Sequence, residues 1–379
     1  MIDSSQHRFT SSGPCTTVRL GRACHPEADT LANEQRQRSL APTSRVDDTT
    51  VEGSPTGAAD DGLLVAGVAV PRLPPELRAQ LAERRLAVVS GRDAFRRLSI
   101  LSAVLVASTT LAVLVGHPTT WILHAVVAGV VLTSLIAAEH EALHGSMFDA
   151  PWANHVVGAV CGALCLTPYS AYRTYHLKHH QNTHVADDVE PIVVVRSRGG
   201  LIGALLFATV GLAAVLWGRL AASLIGRGFA GERRFRRRSI DAVSALVSIG
   251  FLVVLAVLAA NRGIGFVALL VGAPLLVFNV LSAATFFPEH YECAYGPDIA
   301  WNTTRTTRTN PLTRFVLWNA NLHTAHHLVP AVPCHALPEL QGLIAERCIH
   351  TESGYLSYYR GLWGRIGRGE LPPAPPWKD

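Results

Sequence analysis

Four apolar stretches, at roughly 98–116, 119–138, 240–260 and 264–287, constrain this chain more than any other feature. Each is long enough to cross a bilayer, which takes about 20 predominantly apolar residues. His117-Pro118 joins the first two and Asn261-Arg262-Gly263 joins the last two, so each pair is predicted to fold as a tight helical hairpin. Composition agrees. Of 379 residues, 49% are hydrophobic and only 16% charged, and the mean hydropathy is +0.25. That charged share is low for a soluble domain.

Two more apolar segments, about 153–168 and 199–223, are harder to assign; the first is short and ends at Pro168. Charge sets the orientation. Arg92, Arg96 and Arg97 precede the first span, and the run Arg233-Arg234-Phe235-Arg236-Arg237-Arg238 precedes the third. The positive-inside rule puts both sites in the cytoplasm. Each hairpin then starts and ends inside, and 153–168 and 199–223 are expected to lie in the interface or re-enter, although 199–223 is long enough to cross. The expected architecture is an all-α integral membrane protein. It has four transmembrane helices in two hairpins, interfacial or re-entrant helices, and a histidine-rich cytoplasmic cap.

Residues 1–60 are rich in Ser, Thr, Asp, Arg and Gly without apolar periodicity, and are expected to form a disordered tail with no secretory signal. Residues 61–97 are an amphipathic lead-in (Pro75 to Val89 at its centre), 98–365 the membrane domain, and 366–379 a Pro-rich tail. The net charge of +5 is carried by Arg, with Lys only at Lys178 and Lys378. Because the densest basic run abuts an apolar stretch, it suits anionic lipid better than nucleic acid. Seven cysteines without a CxxC pair give no disulfide framework, and Cys161 and Cys165 read as packing residues.

Eight of the 17 histidines fall into three groups: His140 with His144, then His176 with His179 and His180, then His323 with His326 and His327. On a helix, positions i, i+3 and i+4 share a face, so each group can aim two or three imidazoles at one point. Neutral imidazole suits Fe, Zn, Cu and Ni. Eight ligands are too many for one ion; divided between two they give four each, the inventory of a di-iron centre built from histidine. His290, just beyond the fourth span, is the preferred ninth ligand, ahead of His184. His117 and His124 lie near an outer turn and read as structural, while His7, His25, His155, His335 and His350 have no cluster partner.

Two other metal readings compete. His140-Glu141-x-x-His144 matches the HExxH zinc peptidase motif with Glu141 as general base, but leaves six clustered histidines unused. A ferritin-like di-iron bundle needs two ExxH pairs, and Glu141 with His144 is the only one. A non-catalytic metal-sensing membrane protein is a further reading, separated from an oxygenase by oxygen consumption.

Between about residues 95 and 360 the chain resembles the membrane fatty-acid desaturase superfamily, which carries HxxxH, HxxHH and HxxHH boxes in this order. The resemblance includes His140-Glu-Ala-Leu-His144-Gly145 followed by Asn154, and Tyr175-His176 through His180 followed by Asp187-Asp188-Val189-Glu190-Pro191. It also includes Asn319-Ala-Asn321-Leu-His323-Thr-Ala-His326-His327-Leu-Val-Pro330. Val189 departs from the family, which commonly has proline there.

The resemblance implies two non-heme irons held by the eight clustered histidines with His290, O2 as co-substrate, and desaturation of an acyl-lipid or acyl-thioester chain. Asp188, Asn321 and His184 are candidates for orienting the imidazoles. No fused cytochrome b5-like module is visible, so the expected electron donor is a separate ferredoxin or cytochrome b5-like protein with its reductase. The family also contains hydroxylases and ketolases acting on fatty acyl, sterol or carotenoid substrates, which keeps that reaction open as the alternative.

Overall fold

The structure is a computed structural model that describes residues 64–65, 68–69, 73–190, 195–227, 237–296, 300–370 and 372. The expected N-terminal tail, Arg233 to Arg236, Pro191 and most of the Pro-rich C-terminus lie outside these residues. Leu64–Val65 (β1) and Val68–Ala69 (β2) pair antiparallel, and the lead-in helix α1 spans Pro75–Glu83.

The first hairpin is α2 (Gly91–Val115) and α3 (Pro118–His144). Gly116, at φ 66°, ends α2 in the left-handed region that glycine adopts without strain. His117 then caps α3, its Nδ1 accepting the Thr119 N–H at 3.2 Å, and Pro118 needs no N–H partner at the first helical position. Helix α3 is the centre of the bundle. Its most apolar window is 67% buried, against 11–17% for the other four candidate spans. Helix α2 packs along it, as do α4 (Pro151–Leu164) and the last span.

The second hairpin is α7 (Arg238–Arg262) and α8 (Ile264–Glu289), joined at Gly263. Within α8 the backbone widens to a π-turn over Ala268–Gly272, immediately before Pro274. Proline lacks the N–H that would bond the carbonyl four residues back. That carbonyl, of Leu270, instead accepts from His124 Nε2 at 3.0 Å, while His124 Nδ1 lies 3.2 Å from Ser108 Oγ. His124 is thus a polar clasp between α3 and α8.

Among the described residues, five helices are long and apolar enough to cross a membrane, one more than the four expected. The addition is α6 (Arg198–Leu224), the segment whose length already permitted a crossing. Leu201, near its start, packs on Tyr291, just past the end of α8, and on Leu362. Near its end, the Trp217 indole donates to the Leu166 carbonyl at 3.0 Å, and the Ser223 hydroxyl donates to Asp241, in the first turn of α7, at 2.8 Å. In the hairpin, the start of α7 and the end of α8 lie at the same end of the bundle. Both ends of α6 are therefore tied to that one end.

The cap is built from α5 (Tyr169–Gln181), α9 (Ala300–Thr303), α10 (Pro311–Val316), α11 (His323–Leu328), α12 (Leu337–Ile344) and α13 (Tyr355–Gly367). Two short strands, β3 (Arg305–Thr307) and β4 (His350–Glu352), pair in parallel beside it. Leu77 and Leu86 pack with Leu322, Leu328, Leu337 and Leu340 in a second core, so the lead-in helps seat the third histidine group.

Candidate metal centre

Three elements converge on one point. Helix α3 ends with His140 and His144 on one face, α5 carries His176, His179 and His180, and α11 carries His323, His326 and His327. The turn after α8 adds His290.

The imidazoles divide into two groups. His140, His144, His176, His180 and His326 offer nitrogens all within 4.8 Å of one another, and so do His179, His290 and His327. His323 Nε2 joins the second group, 2.9 Å from His290 Nε2. This corrects one expectation: an HxxHH triple does not aim at a single point. Positions i and i+4 stay together, while i+3 turns to the other group, so α5 gives two imidazoles to the first group and one to the second. Helix α11 does the reverse. The eight clustered histidines divide five and three rather than four and four, and His290 brings the second group to four.

The donor set fits metal. Facing Nε2 pairs lie 2.9 Å apart for His140 with His176 and for His176 with His180, 3.2 Å for His180 with His326, and 3.1 Å for His179 with His290. At a metal–nitrogen distance of about 2.1 Å, neighbouring octahedral vertices lie about 3.0 Å apart and tetrahedral ones about 3.4 Å. The Nε2 atoms of His144 and His327 are buried without a hydrogen-bond partner, as nitrogens waiting for a cation would be. Burial first, then repulsion among neighbouring imidazoles, holds His176, His180, His326 and His327 well below the ordinary histidine value, in the neutral form a metal needs.

Carboxylates surround the second group. Asp188 Oδ1 lies 2.9 Å from His179 Nδ1, and the same carboxylate accepts the N–H groups of His184 at 2.8 Å and Glu190 at 3.0 Å. Burial opposes a charge on His179, but Asp188 and Glu190 outweigh it and raise its pKa to about 9. Burial alone would raise Asp188; His179 and the two N–H donors bring it below its ordinary value instead. Glu289 Oε2 lies 3.6 Å from His323 Nδ1, and Glu190 Oε2 lies 3.8 Å from His179 Nε2. Sequence reasoning assigned Glu190 and Glu289 no role, although each adjoins a motif it had singled out.

The other candidates fall elsewhere. His184 is outside both nitrogen groups, its Nδ1 donating to the Ala294 carbonyl at 2.7 Å. Asn321 Nδ2 donates to the Thr307 carbonyl at 2.8 Å, so its amide binds backbone rather than an imidazole. Glu141 Oε2 accepts from Ser146 Oγ and from the Cys334 N–H, both at 3.0 Å. It braces α3 against the loop beyond α11 and does not line the cavity described next. His155 meets the Tyr169 hydroxyl at 3.0 Å. Cys161 and Cys165 are buried free thiols.

A cavity of about 610 Å³ reaches the histidines from the bundle. It is lined by His140, His176, His179, His290 and His323 and by the apolar Ile136, Phe207, Leu212, Val215 and Phe286. Helix α6 supplies much of that lining, from Phe207 to Val215. Phe207 lines the cavity and is 67% exposed, so the cavity is open on the α6 side.

The family model described as fatty acid desaturase matches residues 71–359. A Delta(12) fatty acid desaturase of Calendula officinalis is 25% identical over 56% of this chain and 63% of its own length. An acyl-lipid omega-3 desaturase (cytochrome b5) of Arabidopsis thaliana is 30% identical over 26% of each chain. An oleoyl-12-hydroxylase of Ricinus communis is 22% identical over 64% of this chain and 70% of its own. The chain thus covers less than two thirds of the first two. With a family match from the lead-in helix to α13, and the histidine groups gathered inside it, the chain belongs to the fatty acid desaturase family.

Proposed function

We propose that this protein is an O2-dependent membrane desaturase that introduces a double bond into the acyl chain of a lipid or thioester. The observation that carries the reading is the largely apolar cavity lined by imidazoles from both groups. Its volume lies within the range of about 300–1,000 Å³ usual for small-molecule sites. An acyl chain gains about 0.8 kcal/mol for each CH₂ it buries there.

His140, His144, His176, His180 and His326 would hold one iron, and His179, His290, His323 and His327 the other. When bound, the irons supply oxygen activation and removal of hydrogen from an unactivated methylene. The chain's own residues do the rest. Ile136, Leu212 and Phe286 exclude water and lay the substrate against the imidazoles, while Asp188 fixes the His179 ring with Nε2 toward the centre.

Four crossings, by α2, α3, α7 and α8, with α6 lying in the interface, agree with the ties at both ends of α6. With Arg92, Arg96 and Arg97 ahead of α2 kept inside, this reading has the site face the cytoplasm, where a separate donor such as a ferredoxin or cytochrome b5-like protein would supply electrons. A hydroxylase is the second reading, favoured by the likeness to the oleoyl-12-hydroxylase. The test is lipid analysis of a membrane host expressing the chain beside a His323→Ala variant. A new unsaturated acyl species, absent from the variant, supports desaturation; a new hydroxy-acyl species assigns the second reaction; no new species contradicts both.

A further inference from the structure

Strand β3 lies between two imidazole-bearing segments and grips both. On one side Arg305, 5% exposed, donates from Nη1 to the carbonyls of Pro288 and Tyr291, each at 2.5 Å. Those carbonyls bracket Glu289 and His290. Just ahead of the strand, the Thr303 carbonyl accepts the His290 Nδ1–H at 3.0 Å, which turns Nε2 toward the centre. On the other side Thr304 Oγ1 donates to Thr324 Oγ1 at 3.1 Å, and the Thr307 N–H donates to the Asn321 carbonyl at 2.9 Å. Thr324 and Asn321 flank His323. As a result His290 and His323, 33 residues apart, face each other at 2.9 Å.

The guanidinium is itself held in place. It lies 4.9 Å from the centre of the Tyr358 ring and 4.0 Å from Glu352 Oε1, and its backbone pairs with His350 across β3 and β4. Burying a guanidinium is costly unless its donors are met. Here the shortest bonds go to the main chain around His290, whereas the nearest carboxylate is beyond hydrogen-bond reach. Both bonds leave one nitrogen whose two N–H groups are fixed in the guanidinium plane, whereas an ammonium rotates freely.

We propose that Arg305 is a positioning residue of the second imidazole group: through β3 it sets the turn at 288–291 so that His290 meets His323. This rests on reading His290 as a metal ligand. The test measures metal per chain in the purified, detergent-solubilised full chain, for wild type, Arg305→Gln, Arg305→Lys, His290→Ala and the Arg305→Gln His290→Ala pair.

Arg305→Gln is expected to elute as a folded species and to fall from about two ions to about one, with the double variant no lower than His290→Ala alone. Arg305→Lys is expected to keep both ions, the second bound about tenfold more weakly. If Arg305→Gln does not fold, Arg305→Lys decides. Wild-type affinity for both ions in either folded variant overturns the proposal while leaving the metal reading intact. A wild type without metal overturns the metal reading itself.

Discussion

His179 and Asp188 form the most completely satisfied ion pair among the clustered histidines: 2.9 Å from Nδ1 to Oδ1, with two backbone N–H groups steadying the carboxylate. The pair fixes which ring nitrogen faces the second group. An amide at position 188 removes the charge and turns an NH₂ toward one of those N–H donors. Asp188→Asn is therefore expected to weaken metal binding by about tenfold or more, read by chelator competition. Unchanged affinity would reduce Asp188 to a turn cap.

Glu141 separates the oxygenase from the zinc peptidase. Its Oε2 accepts from Cys334 and Ser146, away from the cavity. Glu141→Ala leaves the Cys334 N–H unmet, at a cost of about 1–3 kcal/mol. The expected outcome is a lower melting temperature with metal content retained. Glu141→Gln, which keeps an acceptor, should retain most activity; abolished activity with full stability would restore the general base.

Gly162 tests the packing between α3 and α4. A Cβ there would sit 2.2 Å from the Thr167 carbonyl oxygen and 2.4 Å from Glu139 Oε1, closer than real contacts allow. Gly162→Ala is expected to destabilise the folded chain by about 1–3 kcal/mol, seen as earlier thermal loss of the monodisperse species. A melting curve like that of the wild type would contradict the close approach.

The cavity wall offers a test of substrate fit. Gly211 lines the cavity, and a Cβ built there meets nothing within 4 Å. Gly211→Phe is therefore expected to be accommodated without disturbing the fold and to narrow the cavity at its α6 side. Conversion of longer acyl chains is expected to fall more than that of shorter ones, with metal content unchanged. An equal fall for all lengths would argue that the chain lies elsewhere.

Much of this was legible in the sequence because two strong signals are local. Apolar runs of bilayer length gave the hairpins, and Gly116-His117-Pro118 and Gly263 are turn chemistry that needs no tertiary context. Imidazoles at helical spacing singled out the three groups that the fold brings together, and His290 lies beside His179 and His323. What stayed hidden depends on groups far apart in the chain. Helix α6 reads as a span by length, yet its path follows from bonds to Leu166 and Asp241. The π-turn in α8 answers Pro274 with a histidine from α3. The splitting of each HxxHH triple needs two helices facing each other, and Asn321 looked like an imidazole partner until β3 supplied a backbone one.

The most direct measurement is metal per chain in the purified protein beside a His326→Ala His327→Ala variant. These neighbours serve different groups, His326 the first and His327 the second, so the double change strikes both at once. The account predicts about two irons in the wild type and their loss from the variant. A single zinc that survives the variant would contradict it.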